Sequence, residues 1–188
     1  MEIPTPSIPI PSYVIKLLGS SQDVGDSALE FFDTIHTYLA IISKRRFYDH
    51  LLNPLLPRRA DVAFLCLCMK LVLWKPSVVE SIPNIEEYAT AIKYLLELEA
   101  AGIFTLQVLQ GRLLISLFEL GHSIYPAAYM SISACAAHGL ALGLDRSQVT
   151  GVAKNLSWVE MEERRRVWWA IVIVERFDIR LGSIFISY

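Results

Sequence analysis

The sequence predicts an all-α fold in which about six helices form an antiparallel array. Apolar residues recur at three- and four-residue spacings over most of the 188 residues, and no stretch alternates apolar and polar residues as a half-buried strand does. Prolines, glycines and capping residues divide the chain into segments of helical length. The hydrophobic fraction of 54% and the mean hydropathy of +0.42 supply enough apolar surface for one deep core.

Prolines at positions 4, 6, 9 and 11 predict an extended, polyproline-like start to the chain. We therefore expect residues 1–25 to form a proline-rich extended segment and residues 26–188 to form one helical domain. The start lacks the basic and then apolar pattern of a secretory signal, and the three cysteines are an odd number. These features indicate a reducing, intracellular compartment.

Capping residues and helix breakers place the first three helices. The capping box Ser27–Glu30, followed by apolar residues at helical spacing, predicts a first helix that runs to about Tyr48. The second, Arg59–Trp74, is apolar nearly all round, so we expect it at the centre of the core. The third begins after Asn84 and ends at Gly102, where a left-handed cap fits.

The same signals place the last three helices. Thr105 caps a fourth predicted helix, Leu106–Tyr125, and the proline that follows suits the first turn of a fifth, which ends at Gly143. The fifth helix is rich in alanine, serine and glycine, and small side chains let helix axes approach closely. We therefore expect it to lie between other helices. A further capping box opens the sixth helix, Ser157–Asp178.

Charge and hydropathy argue against nucleic-acid binding and against a membrane span. The net charge of −2 and the pI near 6.1 provide no overall positive field to attract nucleic acid or anionic lipid. The stretch 120–144 carries no Asp, Glu, Lys or Arg and is long enough to cross a bilayer, but Pro126 divides it. Two buried helices are therefore favoured.

The candidate metal and catalytic groups do not form a site in the sequence. Cys66 and Cys68 are two residues apart, so on one helix they point to different faces, and Cys135 is distant. Buried apolar cysteines are favoured over zinc ligands. The four histidines are well separated, and there is no nucleophile elbow or phosphate-binding glycine loop. The sequence therefore predicts no enzyme and no cofactor in this chain.

The densest run of charge lies at the start of the sixth helix, where Arg164, Arg165 and Arg166 invite a nucleic-acid interpretation. Glutamates stand four residues before Arg164 and before Arg166, in the order that favours ion pairs on a helix surface. Trp168 and Trp169 are followed by an apolar run, which predicts that the rest of the helix is core. We interpret the run as the ion-paired start of a buried helix.

Three stretches, in this order, resemble the fungal specific transcription factor domain, or middle homology region, of zinc-cluster regulators. They are Phe31–Phe47, Leu109–Leu144 and Glu162–Arg176, and the resemblance spans about residues 28–176. Ala40 stands where the family usually has proline. The residues that carry the family motifs, interpreted as structural, are Phe32, His36, Phe47, Gln110, Glu119, Gly121, Gly143, Arg164, Arg165, Arg166, Trp168 and Trp169.

The resemblance implies a nuclear protein that regulates transcription through a small effector, a coregulator protein or a second copy of the chain. The family reads DNA with a six-cysteine cluster that holds two zinc ions and normally precedes this domain. With three cysteines, this chain has no such cluster, so zinc and DNA contacts are expected outside it. The chain ends at Tyr188, before the expected continuation, which predicts a C-terminally truncated domain.

Two alternatives remain from the residues themselves. One is a helical small-molecule-binding or catalytic domain whose pocket has a mixed aromatic and polar lining, formed by Tyr88, His122, Tyr125, Tyr129 and His138. The other is a non-functional remnant, in which the core that the missing helices would cover forms a large exposed apolar patch.

Overall fold

A computed structural model describes residues 8–52, 59–75, 85–145 and 156–185, with the side chains of all but His50, Ile85 and residues 177–185. The described residues contain α-helices and no strand, so the all-α prediction is confirmed. A short 3₁₀ turn, Ile35–Thr37, and a wide π turn, Phe47–Leu51, flank the third helix. The helices are α1 (Ser12–Leu18), α2 (Ser21–Asp33), α3 (Lys44–Arg46), α4 (Ala60–Val72), α5 (Ile85–Ala100), α6 (Leu106–Gly121), α7 (Ala127–Ala141) and α8 (Trp158–Phe185).

Helix α4 is the centre of the core, as its continuous apolar sequence predicts. Nearly all of its residues are buried, and it packs against α1, α2, α5 and α6. Its closest partner is α6, where Gly111 faces Phe64. A Cβ atom at Gly111 would lie 2.5 Å from Cε1 of Phe64, so the missing side chain is what allows the two helices to approach.

Helix α7 packs against both α6 and α8, in agreement with the prediction from its small residues. Gly139 is the point of close approach, since a Cβ atom there would lie 3.3 Å from Cε3 of Trp168 on α8. The opposite face of α7 is exposed and carries Tyr129, Met130 and Leu140. The helix is therefore flanked by two others but not enclosed by them.

The N-terminal third of the chain differs from the prediction. Residues 12–18 and 21–25 are helical, so the extended segment predicted to residue 25 is wrong for them. The capping box lies seven residues earlier than predicted: Ser20 Oγ accepts from the Asp23 N–H at 3.2 Å, and Asp23 accepts from the Ser20 N–H at 2.7 Å. Ser27, the predicted cap, lies inside α2.

The single helix predicted to run to Tyr48 is divided. Helix α2 ends at Asp33, because the hydroxyl of Thr34 donates to the Glu30 carbonyl at 2.6 Å and the backbone of Thr34 leaves the helical region. The chain then follows the 3₁₀ turn and an irregular stretch before α3 begins after Ser43. This break creates the loop on which the candidate site is built.

The starts of α6 and α8 follow the predicted capping signals, whereas α6 ends at Gly121, four residues before the predicted Tyr125. Thr105 Oγ1 accepts from the Val108 N–H at the start of α6, and Gly102, with φ +74°, follows the end of α5. Ser157 caps α8, which continues beyond the predicted Asp178. Asn84, the predicted cap of α5, lies outside the described residues. Within the described chain, no helix combines the length and the apolar character that a membrane crossing requires.

Candidate functional site

The carboxylate of Glu163, on the buried face of α8, is the centre of a polar network. Its Oε1 accepts a hydrogen bond from the side-chain amide of Gln110 at 3.0 Å and another from the Ser43 N–H at 3.1 Å. Its Oε2 accepts from the guanidinium of Arg46 at 2.6 Å. The side chain of Glu163 is only 1% exposed, so this charge stays in the core because a cation and two further donors surround it.

The Glu163 network joins parts of the chain that are far apart in sequence. Gln110, on α6, also donates to the carbonyl of Ile41 at 2.7 Å, in the irregular stretch before α3. Arg46, on α3, also reaches Glu160 on α8 at 3.2 Å. The network therefore fixes α3 and the stretch before it against α6 and α8.

Aromatic side chains form the wall next to this network. The rings of Phe32 and Phe47 meet edge to face with centroids 5.5 Å apart, and the imidazole of His36 lies 5.0 Å from Phe32. The ammonium of Lys44 stands 5.6 Å from the centroid of the same ring. The motif residues Phe32, His36 and Phe47 thus come together beside the network.

A cleft of about 220 Å³ lies between the irregular stretch and the first turns of α8. Glu163 and Ser43 connect the cleft directly to the network. The lining also includes apolar side chains and an imidazole, and its full set is His36, Ala40, Ile42, Ser43, Lys44, Trp158, Val159, Glu162, Glu163 and Arg166. Burial, then the nearby charges of Arg166 and Lys44, lower the pKa of His36, so its neutral form is favoured.

The charged start of α8 is ion-paired, with one difference from the prediction. Glu162 accepts from Arg165 and from Arg166, each at 2.8 Å, and these hydrogen bonds lower the pKa of its carboxyl to about 2. The predicted pairing of Glu160 with Arg164 is wrong, because Arg164 instead donates to the carbonyl of Leu142 at 2.8 Å. A cation there satisfies a carbonyl group at the C-terminal end of α7.

The two adjacent tryptophans of α8, Trp168 and Trp169, do not share one environment. Trp168 is half-buried against Gly139 of α7. Trp169 is 54% exposed, so the prediction that it belongs to the core is wrong. It lies one turn from Arg165 and from Ile173, which are also exposed, and this stripe faces away from the buried residues of α8.

A second buried polar cluster connects α5, α6 and α7. The hydroxyl of Tyr88 donates to the carboxylate of Glu119, which is almost fully buried, and burial raises the pKa of that carboxyl. His138 is also buried, and neither of its ring nitrogens has a hydrogen-bond partner in the described part of the chain. Glu119 does not line the cleft described above, so the two features are separate.

The mixed aromatic and polar pocket predicted for the alternative function is assembled only in part. Tyr88 and His122 both contact Phe118, with ring centroids 5.6 and 4.2 Å from it. His138 lies against a different ring, and Tyr129 is exposed. The two remaining motif glycines, Gly121 and Gly143, lie at or just after helix ends, outside both polar clusters.

The three cysteines are buried, as the sequence predicts. Burial raises the pKa of the Cys68 and Cys135 thiols, which favours the protonated form. Among the residues that the structure describes, no group of three or more histidine, cysteine or acidic side chains is arranged to hold a metal ion.

Sequence reasoning missed the two charged residues at the centre of the site, Arg46 and Glu163. A signal for Glu163 was present. Glu163 stands four, seven, eight and eleven residues before four buried apolar residues of α8, which are Val167, Ala170, Ile171 and Val174. This helical spacing places the charge of Glu163 on the core face of the helix. A buried charge needs a partner, but no sequence pattern identified Arg46, which lies 117 residues away.

Residues 28–179 match the family model described as the fungal specific transcription factor domain. The chain is 38% identical over 160 residues to transcription factor BOA15 of Botryotinia fuckeliana, a match that covers 83% of this chain and 89% of that protein. It is 24% identical over 151 residues to transcription factor tazR of Aspergillus terreus, covering 78% of this chain and 24% of that protein. No solved structure matches the chain.

Proposed function

The chain belongs to the fungal specific transcription factor domain family, and we propose that it is a regulatory domain that controls transcription by binding a small effector or a coregulator protein. The observation that supports this proposal most is the Glu163 network beside an open cleft. The cleft gives a ligand a place to bind, and the network connects that place to three separate helices.

Glu163 links binding to helix packing in this proposal. Its carboxylate lines the cleft and also accepts hydrogen bonds from Gln110 on α6 and from Arg46 on α3. A ligand that contacts the cleft would favour one arrangement of these helices over others, to the extent that it binds that arrangement more tightly. The regulatory signal would therefore be a change in packing rather than a chemical reaction.

We assign contact with DNA to a separate domain or protein. We assign this chain to the nucleus. The cysteines of this chain are buried in apolar surroundings rather than placed to hold zinc. Arg165 and Arg166 share the single carboxylate of Glu162, which offsets part of their positive charge. The catalytic alternative is set aside, since the family to which the chain belongs is a transcription factor domain family.

A reporter assay tests this function. The chain is fused to a DNA-binding domain that does not activate transcription by itself, and transcription from the matching operator is measured in yeast. We expect the fusion to change transcription at least threefold relative to the DNA-binding domain alone. An unchanged reporter, with the fusion present at normal levels in the nucleus, would rule the proposal out.

Two adjacent arginines provide a matched pair of variants for the same assay. Arg46→Gln removes the cation from the Glu163 network, whereas Arg45→Gln changes a side chain that is 89% exposed. We expect the first variant to abolish the effect on the reporter and the second to retain it. Equal behaviour of both variants would show that the network has no part in regulation.

A further inference from the structure

The size of the cleft restricts what it can hold. Its volume of about 220 Å³ lies below the roughly 300–1,000 Å³ typical of sites for drug-sized ligands. A ligand of about one ring with a short substituent fits this space. Larger effectors would have to extend out of the cleft into solvent.

The carboxylates that line the cleft already have donors. Glu163 is surrounded by Arg46, Gln110 and the backbone of Ser43. Glu162 accepts from Arg165 and Arg166. Because these acceptors are engaged, a cationic ligand would have to displace existing hydrogen bonds in order to bind.

The donors that line the cleft are less fully engaged. The ammonium of Lys44 is half-exposed and lies 3.8 Å from Asp33, beyond hydrogen-bond distance. Arg166 pairs with Glu162 through its Nε, and its two terminal amino groups make no hydrogen bond within the described residues. Nδ1 of His36 is buried and has no partner there either. These groups together favour an anion.

An indole provides the apolar surface at the cleft. Trp158, in the first turn of α8, is 73% exposed, and Val159 and Ile42 line the same space. A flat, exposed indole is well suited to contact a planar ring. The position at the start of a long helix adds the partial positive charge of the helix N-terminus.

We propose that the cleft binds a small carboxylate with a planar apolar body, its anionic group beside Lys44 and Arg166 and its ring against Trp158. This ligand would be the effector of the regulatory domain, so the inference rests on the proposed function. It adds the chemical class of the ligand and the residues that recognise it.

Titration of the full chain with benzoate tests the inference, with binding followed by NMR chemical shifts or calorimetry. Two further probes separate the contributions: benzamide keeps the ring and removes the charge, and acetate keeps the charge and removes the ring. We expect saturable binding of benzoate, and binding at least tenfold weaker for each of the other two. Equal binding of benzamide would overturn the assignment of an anion site.

Matched variants locate the site. Lys44→Gln and Arg166→Gln should each weaken benzoate binding at least tenfold, whereas Arg165→Gln removes a neighbouring pair with the same Glu162 and should change it less than twofold. Trp158→Ala should weaken binding, and Trp169→Ala, on the exposed stripe of the same helix, should not. Unfolding transitions of all variants are measured alongside, so that a loss of structure is recognised.

The outcomes separate this inference from the proposed function. If benzoate does not bind while the reporter fusion changes transcription, the ligand class is wrong and the regulatory function stands. If benzoate binds with the expected variant pattern while the fusion leaves the reporter unchanged, the site stands and the regulatory function fails. Binding that Arg165→Gln weakens as much as Arg166→Gln does would overturn the proposed location.

Discussion

The side-chain amide of Gln110 donates a hydrogen bond to the Glu163 carboxylate at 3.0 Å, inside the core and across 53 residues of sequence. Glutamine can also donate to a second acceptor, and here that acceptor is the carbonyl of Ile41. One amide therefore holds an irregular backbone stretch and a buried charge in fixed positions. The cleft depends on this arrangement, because the same stretch forms one of its sides.

The first prediction concerns the charge of Glu163. Glu163→Gln keeps the size of the side chain but removes the nearer of the two anions that compensate Arg46, so we expect the free energy of unfolding to fall by about 2–3 kcal/mol. Urea denaturation of the wild type and the variant measures this difference. Glu162→Gln is the control, since Glu162 makes its ion pairs at the surface and its removal should have a much smaller effect. Equal losses in both variants would contradict the importance assigned to the network.

The sequence drew attention to several side chains that surround this site, but it identified neither its two central residues, Arg46 and Glu163, nor the ion pair between them. Phe32, His36, Phe47 and Gln110 were identified by resemblance to the family, and all four lie around the network or the cleft. Helical periodicity specifies which face a residue occupies but not which distant residue it meets. The contact of Glu163 with Arg46 is a tertiary property, so it required the structure.

The fold was predictable where local signals were strong and tertiary packing agreed with them. The continuous apolar sequence of α4 and the cap at Thr105 each indicated the observed element. The prediction was wrong between Asp33 and Ser43, where the apolar spacing continues but threonine side chains bond to the backbone and end the helix. Periodicity could not detect that competition, because it measures burial rather than backbone hydrogen bonding.

A second prediction tests the close approach of α4 and α6. Gly111→Ala should lower the free energy of unfolding by about 1–3 kcal/mol, because the new methyl group would overlap the ring of Phe64. Gly25→Ala is the matched control in α2, where a Cβ atom meets nothing within 4 Å, and it should stabilise the protein by about 0.5–1 kcal/mol. Chemical denaturation of both variants measures the contrast. Stabilisation by both would show that the two helices can separate without cost.

A third prediction separates the adjacent tryptophans of α8. Trp168→Ala removes a ring that packs against Gly139, and we expect a loss of about 2 kcal/mol, below the full cost for a completely buried aromatic residue. Trp169→Ala removes an exposed ring and should cost less than about 1 kcal/mol. Thermal unfolding at one protein concentration compares the two variants. A larger loss for Trp169→Ala would mean that another surface covers this ring in solution.

The last prediction concerns acid. Burial, then the charge of Arg112, lower the pKa of His138 to about 4 from an ordinary value of 6.5. The unfolded chain therefore binds more protons than the folded chain between these two values. It follows that the stability contributed by neutral His138 is complete above about pH 6.5 and is lost as the pH falls towards 4. The loss amounts to at most about 3.5 kcal/mol, at about 1.4 kcal/mol for each unit of pKa.

His138→Leu isolates this contribution, because leucine fills a similar space and does not titrate. We expect the free energy of unfolding of the variant to change less between pH 7 and pH 4 than that of the wild type, with the two curves diverging most near pH 4. Denaturation curves at half-unit pH steps measure the difference. Parallel curves would mean that the imidazole is protonated as readily in the folded chain as in the unfolded one, for which this buried ring would have to reach solvent.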